Sequence, residues 1–178
     1  MPFSPRQIVV HWVPGFTLLT MIFLIDQQNS GAIARFVEGL HLNASIAALI
    51  MASGGFVVGN FLDVLRDFGE EIWDHLLGRK IEWDFLLEAD PDKVQRLEDY
   101  HFTYYVLSTN LTIAFMITMI ADRWCPIHFP YWGWWLILAA TIVFGIDAIR
   151  IRGDIVKQSR KLLKEARQKK PNETTPSS

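Results

Sequence analysis

The sequence has a single cysteine, Cys125, and it lacks the short motifs that mark the commoner classes of enzyme. One cysteine excludes a disulfide within the chain, and we expect Cys125 to be unpaired and without a redox role. There is no activated-nucleophile motif, no glycine-rich phosphate loop and no cluster of cysteine and histidine. The sequence therefore predicts neither an enzyme nor a bound cofactor.

Charged side chains are nearly absent from four stretches of the chain, near residues 7–25, 40–65, 102–121 and 131–149. A hydrocarbon core of about 30 Å requires about 20 helical residues at 1.5 Å each, and each stretch supplies about that number. The overall composition, with 20% charged and 51% hydrophobic residues, would also fit a soluble domain, so the distribution of charge decides the class. We predict an all-α integral membrane protein with four transmembrane helices.

The first stretch is followed by Ala32-Ile33-Ala34, a pattern of small residues that resembles a signal-peptidase site. The apolar run of about 19 residues is longer than the apolar region of most signal peptides, and Ala34 lies far beyond its end. We therefore expect the first span to be retained.

Lysine and arginine are scarce in the two connections that would lie on one side of the membrane. Arg35 and Arg123 are the two basic residues there, whereas the amino terminus, residues 63–101 and the carboxyl terminus together hold 15. Because cytoplasmic segments carry the excess of basic residues, both termini and the central segment are predicted to be cytoplasmic. The expected location is the plasma membrane, which in bacteria is the inner membrane.

The second apolar stretch continues as a helical pattern beyond the length that lipid covers. A helix from Leu40 to Leu77 would be about 57 Å long, so its last third should project into the cytoplasm. Asp90 and Pro91 match an N-cap followed by proline at the first helical position, and the helix they begin should pack back on the projecting one. Spans 2 and 3 would thus extend into an antiparallel helical hairpin. The apolar linker could cap this hairpin, lie on the bilayer or bind a partner, and we favour the cap: Ile81, Trp83, Phe85, Leu86 and Leu87.

We divide the chain into three parts. Residues 1–150 form the four-helix transmembrane domain with its hairpin at 63–101, residues 151–170 form a basic cytoplasmic helix, and residues 171–178 form a disordered tail without apolar side chains.

Opposite charges separate the hairpin from the basic helix. Residues 63–100 contain 12 acidic and 5 basic residues, whereas residues 150–170 contain 9 basic and 2 acidic ones. The basic helix could dock on the acidic stripe of the hairpin, within one subunit or between subunits, or it could bind anionic lipid. The candidate partner-binding residues are Asp63, Asp67, Glu70 and Asp74 on the stripe and Arg160, Lys161 and Lys164 on the helix.

Small residues recur along the second span at steps of three and four, which predicts a seam where helix backbones approach closely. The seam could serve the bundle of one subunit or an oligomer, and we favour a homo-oligomer. In the third span, an asparagine amide is suited to a hydrogen bond between helices. The candidate packing residues are Ala44, Ala48, Ala52, Gly55, Gly59 and Asn110.

Two pairs of a carboxylate and an imidazole have a spacing that suits metal ligation, namely Glu71 with His75 and Glu98 with His101. Carboxylate-bridged di-iron bundles require two Glu-x-x-His elements and two further glutamates, and this chain has one such element. We therefore interpret these residues as a solvated acidic face with histidines near the membrane surface, and a metal site at them is the lesser alternative.

These observations favour a membrane scaffold, anchor or sensor that presents an acidic hairpin and a basic tail to a soluble cytoplasmic partner. Membrane lipids are the other expected partners, and nucleic acid is not expected. The second hypothesis is an oligomeric channel or pore-forming effector, with polar residues of the third span lining a conduit. The third is a metal-dependent membrane enzyme.

Overall fold

The computed structural model describes residues 5–40, 43–77, 81 and 83–173. Within these residues the chain forms seven α-helices and one π-helical turn, with no strand. The α-helices are α1 (Pro5–Asn29), α2 (Ala32–Gly39), α3 (Ala44–Leu77), α4 (Phe85–Glu88), α5 (Pro91–Leu97), α6 (Thr103–Arg123) and α7 (Tyr131–Glu173), and the π-helical turn is Glu98–Phe102.

Four helices contain segments that are long and apolar enough to cross a membrane, which is the number of apolar helices that the sequence predicts. Helix α1 packs against α3 and α6, and α6 packs against α7. The core between α1, α3 and α6 contains Leu18, Leu62 and Ala114. The four apolar segments are Val9–Asn29 in α1, Ser45–Leu76 in α3, Thr103–Arg123 in α6 and Tyr131–Gln168 in α7.

The two ends of the bundle differ. At one, which we call the short-loop end, Asn29 exchanges hydrogen bonds of 2.9 and 2.8 Å with the backbone of Ile127 and so joins the two connections. The first connection contains α2, which the sequence analysis missed, and α3 begins at Ala44 rather than at Leu40. At the opposite end, which we call the projecting end, α3 and α7 continue beyond the start of α1.

A second core lies at the projecting end. It joins the linker residues Ile81 and Phe85 to Leu97 of α5 and to Ile155 and Leu163 of α7. The linker thus contributes two buried side chains to this core, whereas its Trp83, Leu86 and Leu87 are exposed.

The expected packing of α5 against α3 is not found. Across the described residues α5 contacts α4, the π-helical turn and α7, but not α3. The apolar face of α5 is covered by α7, because α7 has its own apolar stripe through Ile155 and Leu163. Helix α7 is continuous from its membrane segment to Glu173, so the basic helix is an extension of the fourth span, and residues 174–178 of the predicted tail lie outside the described residues.

Glycines bring α1 and α3 into close backbone contact. A Cβ on Gly59 would overlap the backbone carbonyl of His11, and a Cβ on Gly15 would overlap the backbone of Gly55. At the same contact the indole of Trp12 donates a 3.0 Å hydrogen bond to the carbonyl oxygen of Ala52. Three predicted seam residues therefore face α1, together with Gly15, which the sequence analysis did not single out.

Two further residues of the predicted seam lie nearer the short-loop end. Ala48 is exposed rather than packed against α1, and the side chain of Ala44 lies outside the described part of the structure.

Candidate functional site

Asp63 is the meeting point of three helices at the projecting end. Its carboxylate contacts the imidazole of His11 of α1 and forms an ion pair, at 2.8 Å, with Arg66 of its own helix. It also accepts a 2.8 Å hydrogen bond from the amide of Asn110, which is fully buried in α6. Asn110, which was predicted to pack between helices, thus bonds to Asp63 of the same subunit. Asp63 itself was predicted to bind a partner protein.

Arg152 connects the fourth helix to the same acidic stripe. Its buried guanidinium forms ion pairs with Asp74 and, at 3.1 Å, with Glu70. It also donates a 2.7 Å hydrogen bond to the hydroxyl of Tyr105, whose ring lies against it. Three helices of the projecting end therefore converge on Arg152, which the sequence analysis left among the other basic residues.

Arg66 joins these two groups into one network. It forms a 2.7 Å ion pair with Asp67 and lies 3.4 Å from Glu70, which also contacts Arg152. The charge network, by which we mean His11, Asp63, Arg66, Glu70, Asp74, Tyr105, Asn110 and Arg152, therefore links α1, α3, α6 and α7.

The stability of the fold depends on keeping this network paired, because charges taken out of water are costly unless they are paired and hydrogen-bonded. It holds the projecting part of α3, which has no contact with α4 or α5 in the described residues. The position of this part of α3 therefore depends strongly on side-chain ion pairs.

A periodic signal for Arg152 was present in the sequence. The buried positions of α7 include Ala148, Ile155, Ser159 and Leu163, and Arg152 occupies the same stripe at steps of three and four. The net charge of the segment obscured this stripe. Asp147, one residue before this stripe, accepts a 2.9 Å hydrogen bond from Ser108 of α6.

Replacing Asn110 with leucine should lower the free energy of unfolding by about 1 kcal/mol, because Asp63 loses its hydrogen bond from α6. Reversible unfolding in mixed micelles would measure the change. Thr109→Ala is the matched control, since that hydroxyl donates to the carbonyl of Tyr105 in its own helix. Equal losses in the two variants would contradict a role for the Asn110 amide between helices.

Two further threonines of α6 also have partners within their helix. Thr112 and Thr118 donate 2.8 Å hydrogen bonds to the carbonyls of Ser108 and Ala114, one turn earlier. Packing and local hydrogen bonds thus account for the polar residues that would line a conduit in the channel hypothesis.

An open groove of about 1070 Å³ lies beside the projecting part of α3. One wall carries the exposed acids Asp67 and Glu71, and the opposite wall carries Trp83 and Phe102, whose rings meet edge to face at 5.5 Å. The groove thus combines negative charge with aromatic surface. The residues that line it are Arg66, Asp67, Phe68, Glu70, Glu71, Ile72, Asp74, His75, Leu76, Trp83 and Phe102.

The π-helical turn positions the aromatic wall. The hydroxyl of Thr103 donates a 3.1 Å hydrogen bond to the carbonyl of Glu98, five residues earlier. The wider turn directs Phe102 toward Trp83, while the His101 ring lies 2.9 Å from the amide of Gln158 on α7. Single π-helical turns within α-helices frequently mark functional sites.

The four candidate metal ligands lie in three different cavities. Glu71 and His75 line the groove, Glu98 lines a small cavity beside His11, and His101 lines a cavity of about 490 Å³ against α7. In the part of the chain that the structure describes, no three side chains of His, Cys, Asp or Glu are grouped to hold a metal ion.

The basic residues of α7 lie farther along the helix than the acidic stripe. Arg160, Lys161 and Lys164 are exposed, and Lys161 lines the 490 Å³ cavity. At this cavity Lys93 of α5 binds Glu165 at 2.6 Å, and that hydrogen bond raises the pKa of Lys93. Arg152 joins the basic helix to the stripe. The role of Arg160, Lys161 and Lys164 in binding a partner stays a prediction.

Comparison with known proteins gives no relative. No model of a protein family matches the chain, and no curated protein or solved structure matches it. Its function must therefore be inferred from its own geometry.

Proposed function

We propose that this protein is a multi-pass membrane scaffold whose groove binds a basic helical segment of a soluble cytoplasmic protein. The observation that carries the proposal is the groove of about 1070 Å³ between the acidic flank of α3 and the Trp83 and Phe102 wall. The excess of lysine and arginine in the termini and the central segment supports a cytoplasmic projecting end.

The groove suits a helix with one basic and one apolar face. Asp67 and Glu71 lie on its rim and are exposed, so they would attract lysine and arginine side chains. The aromatic wall supplies the apolar contact that helices use when they bind in grooves. Because the charge network already holds α3, little ordering is required on binding, and preorganisation of this kind favours affinity.

The basic face of α7 is better placed for a protein than for lipid. If α7 is perpendicular to the bilayer, Lys157 lies about 12 Å beyond Ile149, and Lys164 lies about 22 Å beyond it. Attraction to anionic headgroups decays within a Debye length of about 8 to 10 Å. We therefore include the exposed residues Arg160, Lys161 and Lys164 in the surface presented to an acidic region of the partner.

A labelled amphipathic peptide of leucine and lysine is a direct probe of the groove. We expect it to bind purified protein in nanodiscs at one peptide per subunit, and we expect Asp67→Asn with Glu71→Gln to weaken binding about tenfold. Removing two rim charges should also reduce the salt dependence of the affinity. Fluorescence anisotropy at several salt concentrations would measure both effects.

Glu38→Gln is the matched control, because Glu38 is an exposed acid of α2 at the short-loop end. It should leave peptide affinity unchanged, and Trp83→Ala should weaken binding through loss of the aromatic wall. Binding that does not saturate, or that responds equally to Glu38→Gln and to the groove variant, would contradict the proposal.

A further inference from the structure

A ridge of exposed apolar side chains follows one face of α3 over about half of its length. Its members, spaced at steps of four, three, four and four, are 49% to 66% exposed. We define the α3 ridge as Val57, Phe61, Val64, Phe68 and Ile72.

The α3 ridge faces away from the subunit's own bundle. Gly59 and Leu62, which contact α1 and the membrane core, project from the other side of the helix, as does Asp63 toward Asn110. At 100° per residue the ridge occupies the sector opposite these contacts. Nothing in the described part of the subunit covers it.

The ridge crosses the boundary between lipid and water. The 34 residues of α3 span about 51 Å, well beyond a hydrocarbon core of about 30 Å. Asp63 lies beside His11 near the start of the apolar segment of α1, so we place Val57 and Phe61 in lipid and the later residues of the ridge beyond it. Ile72 lies about 13 Å beyond Asp63 along the helix, where water would meet its side chain. Lipid alone would cover only the first half of the ridge, and a soluble protein only the second half.

We propose that the α3 ridge is the interface between two copies of this chain, with the two α3 helices side by side and parallel. A second copy has the same depth in the membrane and the same projecting helix, so it covers both halves of the ridge at once. Van der Waals contact between apolar faces packs helices together in lipid, while burial of Phe68 and Ile72 removes apolar surface from water beyond it. A two-fold axis parallel to the helices makes the interface self-complementary.

The charges beside the ridge are compatible with this symmetry. Asp67 and Glu71 lie on one flank, and Gly69 and Leu65 lie on the other. The two-fold axis brings the acidic flank of one copy beside the Gly69 flank of its partner. The acids of the two copies therefore do not face each other.

Cysteine crosslinking in membranes would test the interface directly. In a Cys125→Ser background, Val64→Cys and Phe68→Cys should form disulfide-linked dimers under mild oxidation. Asp67→Cys, on the flank of the same helix, and Lys157→Cys, on α7, should form several-fold less. Phe68 and Ile72 of the ridge also line the groove, whereas Val64 does not, so the Val64 crosslink reports on the contact between copies independently of peptide binding in the groove.

A charge on the ridge should separate the copies. Phe68→Glu with Ile72→Glu is expected to shift the protein from dimer to monomer in single-molecule photobleaching of native nanodiscs. Leu87→Glu is the matched control, because Leu87 is an apolar side chain that is 90% exposed on α4, and it should leave the dimer intact.

Three outcomes would overturn the proposal. The first is crosslinking no stronger at positions 64 and 68 than at positions 67 and 157. The second is a monomeric wild-type protein in nanodiscs. The third is a dimer that survives the double glutamate variant, which would assign the interface to another surface.

Discussion

Replacing Gly59 with alanine should destabilise the membrane bundle by about 3 kcal/mol, an effect at the upper end of those from overpacking. The new Cβ would overlap the backbone carbonyl of His11, and backbone cannot rotate away as a side chain does. Helices α1 and α3 would have to separate, which would also weaken the contact of Trp12 with Ala52. Unfolding in bicelles, followed by steric trapping, would measure the loss.

Gly69→Ala provides the control for this substitution on the same helix. No atom lies within 4 Å of the position of its Cβ, so alanine should instead stabilise the helix by about 1 kcal/mol through its higher helix propensity. The opposite signs separate a packing effect from a general effect of alanine in α3. Equal stabilities for the two variants would contradict the close contact of α1 and α3.

Replacing Arg152 with methionine should cost about 3 kcal/mol, because it removes the ion-pair partner of Asp74 and leaves Glu70 with Arg66 at 3.4 Å. The projecting part of α3 would lose a major attachment to α7, so amide hydrogen exchange in α3 beyond Asp67 should increase. Arg150→Met is the control, since Arg150 is exposed only two residues away, and it should change neither quantity appreciably.

A compensating variant distinguishes an unpaired charge from a lost side chain. Adding Glu70→Gln and Asp74→Asn to Arg152→Met should recover part of the stability, because neutral amides are less costly to leave without an ion pair. If the triple variant is less stable than Arg152→Met alone, the ion pairs do not account for the loss. Stability and hydrogen exchange of the wild-type protein, Arg152→Met and the triple variant can be measured under the same conditions.

The membrane spans were predictable because bilayer thickness imposes a length and a composition on each of them. The arrangement at the projecting end was less predictable, since periodicity identifies the apolar face of a helix but not the helix that covers it. The face of α5 containing Leu97 was recognised correctly and assigned to α3, but it packs on α7.

Charge counting had a similar limit at the candidate site. It located the acidic stripe and the basic helix, but it could not separate Arg152 from its neighbours, because burial depends on the rotation of α7 about its axis. The contact of His11 was equally hard to predict from the sequence. His11 lies near the end of a span, and it contacts Asp63 because Gly59 allows α1 and α3 to approach closely.

Helix α7 runs without interruption from Tyr131 to Glu173, so its membrane segment and its distal segment move as one rod. The part beyond Ile149 is about 36 Å long, and a tilt of about 5° would displace its tip by about 3 Å. Span tilt responds to the thickness of the surrounding bilayer. A change in bilayer thickness that tilts this span would therefore also displace the distal end of α7 by a few ångströms.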